Sequence, residues 1–252
     1  MKKKLLLLSA FLFFACSSED SSDTNDNNNA VYGPLPETIN YYRDAELIEQ
    51  ANFIYNQNQV SSINVTHFQN WSTVSNRVYN YLYGSSGLIN QIEGAVYNQN
   101  QEVIESNQVN YLYNDFNDVQ EVSIHQDGYT ENFSITYPEN NEIHSFSDAE
   151  SCTDIYYVNN GNVTQFYNCS ELSNTELTYD NKNSIYKNIK GNNLFSIYPN
   201  LHPLSTTNNN RLISLEGWNL NYTYNEENYP IKIEYSQCSS CETQRIEITY
   251  TN

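Results

Sequence analysis

Glycine is scarce in this chain, with eight among 252 residues, alongside six prolines and one methionine. Basic residues are also few: 11 Lys and Arg stand against 30 Asp and Glu, for a formal net charge of −19. That deficit excludes sequence-independent binding to nucleic acid, which needs clustered cations to displace counterions. The main apolar run, residues 5–14 broken only by Ser9, is ten residues long. It is too short to cross a ~30 Å hydrocarbon core as a permanent helix. Neither HExxH nor GxSxG occurs, which removes the commonest zinc-protease and serine-hydrolase signatures. What the chain has instead is tyrosine, 23 of them, within a 38% hydrophobic composition. That content is too apolar for full disorder, and the length suits one domain or two with a sizeable core.

The N-terminus carries the most specific signal. Lys2, Lys3 and Lys4 precede the apolar run, and Ala15-Cys16 closes it before Ser17, Ser18, Glu19 and Asp20. This arrangement resembles a bacterial lipoprotein signal peptide, in which the Cys becomes the acylated first residue of the mature protein. The resemblance implies a signal peptide over residues 1–15, lipidation at Cys16 and attachment to a membrane through that lipid. An ordinary secretory signal with a coincidental Cys is the competing reading. Cleavage would remove three of the eleven basic residues, leaving eight against 30 acidic ones and a net charge of −22. Residues 17–29 hold no apolar side chain and include Glu19, Asp20, Asp23 and Asp26. Such a segment cannot offset its ordering entropy by burial, so residues 16–30 read as an acidic tether.

Residues 31–252 read as a single domain of a different texture. Short runs of Tyr, Ile, Val, Phe and Thr alternate with Asn-rich turns, the pattern of strands and hairpins. Turns are expected after Tyr55, Tyr83, Tyr113, Tyr137, Tyr157, Tyr179 and Tyr224, the first six of these tyrosines lying 20 to 30 residues apart. Asn stands where Gly is usual, because it tolerates left-handed backbone and caps its own turn. The expected fold is therefore all-β, an antiparallel sheet of serial hairpins with little or no helix in the mature chain. Residues 191–210, with Pro199 and Pro203, interrupt the series as an irregular insertion.

Two hairpins carry internal checks. Asn160-Gly161 is a strong type I′ turn signal, and uninterrupted pairing outward from it places Cys152 opposite Cys169. A disulfide follows there. A turn centred on Ser239-Ser240 pairs Glu234 with Arg245, Ile233 with Ile246, Lys232 with Glu247 and Ile231 with Ile248. One face is then apolar and the other charged, as a half-buried antiparallel sheet requires. Cys238 and Cys241 flank that turn. In an oxidising compartment a structural disulfide between them is favoured over a redox or zinc CxxC motif, although four cysteines alone permit three connectivities.

Residues 222–233, Tyr-Thr-Tyr-Asn-Glu-Glu-Asn-Tyr-Pro-Ile-Lys-Ile, resemble the YD-type repeat, Tyr-x-Tyr-Asp-x-x-Gly-x-x-x-x-Ile, and Tyr179-Asp180 keeps the Tyr-Asp step. Asn228 takes the place of the usual Gly. Similar repeats occur in outer-membrane lipoproteins of the Bacteroidota type, whose surface-export signal the acidic residues after Cys16 also resemble. The resemblance implies an outer-membrane, lipid-anchored, surface-exposed protein, and it carries no catalytic residue across.

Chemistry leaves little trace. His67, His125, His144 and His202 have no ligand-like spacing, no metal site or cofactor is indicated, and the carboxylates cannot be paired into a hydrolase site from sequence. The one binding signal is Tyr-x-Tyr, which sets two rings on one strand face: Tyr79, Tyr81 and Tyr83; Tyr111 and Tyr113; Tyr222 and Tyr224. Such a face could stack on a glycan, or it could be core. The expected role is non-catalytic, binding or structural, at the cell envelope, with a glycan or an envelope protein as partner.

Overall fold

The computed structural model describes residues 33–69, 72–139, 141–191, 210, 219–235 and 242–251, all within one compact unit, Tyr32–Asn252. Among these residues there is no helix. They form fifteen strands: β1 Pro36–Arg43, β2 Glu46–Asn56, β3 Gln59–Gln69, β4 Ser72–Tyr83, β5 Ile89–Tyr97, β6 Val103–Tyr113, β7 Val119–Gln126, β8 Tyr129–Thr136, β9 Glu142–Ser147, β10 Cys152–Asn159, β11 Asn162–Asn168, β12 Ser173–Glu176, β13 Asn221–Tyr224, β14 Pro230–Tyr235 and β15 Gln244–Tyr250. All lie in one antiparallel sheet. It runs as a meander from β1 to β12, while β15, β14 and β13 follow outward from the other side of β1.

Alternation divides the sheet into two chemically different faces. One carries Ile39, Ala51, Phe53, Ile63, Val65, Tyr79, Ile92, Ile233 and Ile246, all buried. The other is mostly amide and hydroxyl, for example the cross-strand row Asn40, Gln50, Thr66, Asn76 through β1 to β4. A sheet with one buried face needs this period of two.

At six of the seven expected turns the flanking strands pair as neighbours. Four turns share one geometry, over residues 84–88, 98–102, 114–118 and 225–229. Their fourth residues, Gly87, Gln101, Asn117 and Asn228, all have positive φ, between 64 and 77°. In three, the leading Asn caps the turn: Asn98, Asn114 and Asn225 Oδ1 each accept two backbone N–H bonds of 2.8–3.1 Å. Asn117 and Asn228, and Gln101 at the remaining corner, thus take the left-handed conformation that Gly takes at Gly87. Asn160 and Gly161 have φ of 51 and 75°, the type I′ geometry.

One device recurs throughout. Nine strands carry a register slip of one residue near their start. Six of these slips, which skip Glu37, Ser61, Asn90, Gln120, Thr164 and Ile231, share a further feature. A bulge of this kind removes the preceding residue's carbonyl from the ladder. Those preceding residues are Pro36, Val60, Ile89, Val119, Val163 and Pro230, and all six are buried. Each carbonyl is satisfied by a tyrosine hydroxyl from further along the chain. Tyr55 donates to Pro36 (2.7 Å), Tyr83 to Val60 (3.0 Å) and Tyr113 to Ile89 (2.6 Å). Tyr137 donates to Val119 (3.0 Å), Tyr179 to Val163 (2.7 Å) and Tyr250 to Pro230 (2.9 Å). The two prolines fit because each opens its strand, where no ladder N–H is needed.

The bulges correct two expected registers. Asn159 and Val158 pair with Asn162 and Val163, but Tyr157 pairs with Gln165, so the Cys pair is offset by one residue. The Cys152–Cys169 disulfide nevertheless forms, with Cα atoms 5.9 Å apart. In the C-terminal hairpin the Glu234–Arg245, Ile233–Ile246 and Lys232–Glu247 pairs stand, but Ile231 is the skipped residue and turns outward, 38% exposed.

The hairpin expected around residues 177–185 does not form. After β12 the chain leaves the sheet, and Ile185 and Tyr186 bury themselves against the apolar face, Tyr186 against Phe53. Tyr179 is held by Val163 of β11, yet the next residue, Asp180, accepts from the Tyr224 hydroxyl at the end of β13. Adjacent Cα atoms are ~3.8 Å apart, so the two outermost regions of the sheet meet here. The sheet is curled round with its apolar face inward, and residues 177–191 strap its turn end. Lys190 N donates to Asn58 O (2.8 Å), Ile89 N to Gly191 O (3.4 Å) and Asn188 Nδ2 to Pro34 O (2.8 Å). The anticipated insertion otherwise lies outside the described residues, apart from Gly191 and the buried Asn210, which bonds Asp180 and Asn183.

Losing a partner to a buried carbonyl costs about 1–3 kcal/mol. Tyr113→Phe should therefore destabilise the protein by that amount in urea titration, while exposed Leu112→Ser should change stability by under about 0.5 kcal/mol. Burial pushes Tyr83 and Tyr137 up to about 12. A phenol whose folded-state value is raised holds its proton better when folded. The associated stability is intact below the ordinary value near 10 and is lost as pH rises towards 12. Tyrosinate absorbance and circular dichroism followed over that window should change together.

Candidate functional site

The inward face accounts for most of the tyrosines singled out from the sequence. Tyr79, Tyr81 and Tyr111 are buried at 2, 8 and 7% exposure. They are core residues and present no ring to a ligand. Tyr83 and Tyr113 are half-buried and committed through their hydroxyls to the bulge carbonyls. Tyr222 and Tyr224 stack on one another, centroids 5.8 Å apart, with Tyr224 bonded to Asp180. The curl of the sheet is the reason: it turns every Tyr-x-Tyr pair towards the interior.

The other named residues fall in several places. Cys152 opens β10 and Cys169 follows β11, with Glu150 beside them, but the two sulfurs are bonded to each other rather than offered as thiolates. Cys16, Cys238, Cys241 and His202 lie outside the described residues, as do the tether and the 239–240 turn. His144 Nε2 sits 3.1 Å from Glu142 and His125 Nδ1 2.8 Å from Thr130 Oγ1. His67 lies 4.0 Å from Glu49. Burial pushes the Glu49 carboxyl up against the pull of Arg77; burial, then Arg77 and Arg43, draw the His67 imidazole down. Both shifts favour the uncharged forms, as a half-buried pair inside a curled sheet would show.

The outward face offers a different feature. A groove of about 480 Å³ opens on β4 to β8. Its floor is low because Ala95 and Ser106 pair there, next to Gly94. Gly94 is required: a Cβ at that point would come within 2.8 Å of the Tyr79 ring beneath. Along one side runs a cross-strand row, Asn80, Glu93, Gln108 and His125, one residue from each of β4 to β7. Neighbours fix two members: Gln91 Nε2 donates to Glu93 Oε1 and Gln108 Nε2 to Asn110 Oδ1, both at 2.7 Å. Tyr97 lines the groove at the end of β5, and the Asp127-Gly128 turn brings up Tyr129, 58% exposed. The lining includes no Lys or Arg. Apart from His125, named only among the histidines without ligand-like spacing, these residues were not singled out from the sequence. The available signal was the pairing of small residues on two neighbouring strands that otherwise carry large outward amides.

Comparison with known proteins gives little else. No family model matches the chain, and no curated protein matches it. Among solved structures, it is similar to a porin-like protein from Bacteroides uniformis at 11% identity and a TM-score of 0.38, over 88% of this chain and 100% of that one. A porin-like protein from Bacteroides vulgatus matches at 12% identity and a TM-score of 0.37, over 87% and 99%. Neither likeness is close enough to carry a function over.

Residues 152 and 169 are 17 apart. Closing a loop of that length is worth about 3 kcal/mol in the chain-entropy account. Replacing both cysteines by Ser should lower stability by that amount in denaturant titration, with mass mapping of the unreduced parent protein recovering the linked peptides.

Proposed function

We propose that the chain is a lipid-anchored protein of the cell envelope with a non-catalytic binding role. The observation that carries the anchor is the apolar run over residues 5–14 ending at Ala15-Cys16, followed by an uninterrupted polar and acidic segment. A removed signal, an acylated Cys16 and a solvated tether account for those three features together. One acyl chain binds a bilayer only marginally, so stable anchoring needs the multiple chains that a lipoprotein cysteine carries. The recurring Tyr-x-Tyr-Asn turns support the likeness to YD-type repeat lipoproteins of the Bacteroidota outer membrane. The acidic residues directly after Cys16 favour export to the cell surface.

The binding role is supported by where the polar groups sit. The groove over β4 to β8 is lined mainly by amides, hydroxyls and two phenols, with Glu93, Asp127 and His125 among them, polar groups suited to recognition. An acidic chain facing outward would also resist non-specific adhesion to anionic surfaces.

Cys16→Ala should move the protein from the membrane fraction to the soluble fraction and abolish palmitate labelling. Membrane retention of that variant would overturn the anchor. Protease treatment of intact cells, against a periplasmic lipoprotein as control, should digest the domain while sparing the control.

A further inference from the structure

We propose that the groove over β4 to β8 is a binding site for a neutral oligosaccharide. The proposal rests on the binding role above but not on the lipid anchor. Its geometry comes first. Asn80, Glu93, Gln108 and His125 form a straight row across four adjacent strands. Strands lie ~4.8 Å apart, so the four groups span about 14 Å at even intervals. A row of that kind suits an extended polymer with hydroxyls repeating along its length better than a compact metabolite. The volume, about 480 Å³, lies within the ordinary range of small-ligand sites.

The chemistry narrows the class. Amide side chains offer a donor and an acceptor from one plane, and a carboxylate offers two acceptors, so Asn80, Gln108 and Glu93 can each bridge a pair of neighbouring hydroxyls. The hydrogen bonds from Gln91 to Glu93 and from Gln108 to Asn110 hold two of these planes in place before any ligand arrives. Preorganisation of that sort reduces the entropy lost on binding. Tyr97 and Tyr129 add what the amides lack, an amphipathic ring against which the C–H face of a sugar can rest.

Charge removes the competitors. With Glu93 and Asp127 in the lining and no Lys or Arg, a phosphate, sulfate or uronate would meet repulsion. A lipid or other apolar ligand would have to desolvate the polar row without replacing its hydrogen bonds. Nor do the two carboxylates gather as a cation site: the close group of candidate metal ligands among the described residues is elsewhere, at Glu150, Cys152 and Cys169.

The test uses the full chain purified in detergent, applied to an array of neutral and acidic oligosaccharides. Calorimetry then follows on the best neutral oligosaccharide. Retention of one or more neutral oligosaccharides, with weak or no retention of acidic ones, is the expected result. Tyr129→Ala and Glu93→Gln should each weaken binding by about tenfold or more, the scale of one lost stacking or charge-assisted contact. Both residues are exposed, so thermal melting should be unchanged in either variant. Absence of any neutral ligand, preference for acidic oligosaccharides, or binding indifferent to both substitutions would overturn the proposal. None of these outcomes bears on Cys16, whose fractionation test stands separately.

Discussion

The structure depends on a single repeated hydrogen bond, from a tyrosine hydroxyl to the carbonyl that a β-bulge has removed from the ladder. Six pairs of neighbouring segments use it, from Tyr55 on Pro36 to Tyr250 on Pro230. The bulge comes first in the physics. A long sheet of antiparallel strands must bend to bury one face, and inserting a residue increases local twist. Six of the bulges leave an acceptor beside a buried residue, where water is excluded. A phenol meets that requirement as aliphatic side chains cannot, since its ring packs in the core and its hydroxyl reaches across one strand. Six of the 23 tyrosines are used in this way.

Curling the sheet then assigns roles to the two faces. Inward, Ile and Tyr side chains pack with Ile185 and Tyr186 of the strap, which fills the turn end of the interior. Outward, rows of Asn, Gln, Ser and Thr remain in solvent and bond one another, as Gln50 does with Asn40 and Ser123 with Asn132. The groove over β4 to β8 therefore lies on the outer face. The groove floor is low because the small outward residues Ala95 and Ser106 pair there, while the neighbouring Gly94 leaves room for Tyr79 on the opposite face.

Much of the architecture was legible in the sequence because it is written in local terms. Strands and turns follow from period-two patterning and from Asn at positions that need positive φ, as Asn117, Asn160 and Asn228 show. The pairing of Glu234 with Arg245 was legible from charge and apolar alternation alone. The bulges were not, since one skipped residue such as Thr164 or Ile231 is chemically ordinary and its effect appears only across strands. The fate of residues 177–185 was hidden for a related reason. Leu177-Thr178-Tyr179 carries the same signal as the other strand ends, and Tyr179 still makes its usual bond. What differs is the distant partner, Tyr224 on Asp180, that draws the chain off the sheet. The groove was equally invisible, because its row takes one residue from each of four strands.

A chain so rich in amide side chains and β-forming residues belongs to the composition class that stacks into fibrils when strand edges are open. Here the outermost strands, Ser173–Glu176 and Asn221–Tyr224, are only four residues long. Asp180 and Asn183 tie the chain beyond one to the end of the other. The strap that fills the interior is therefore also a guard against self-templated growth, leaving an incoming strand few unpaired backbone groups to extend.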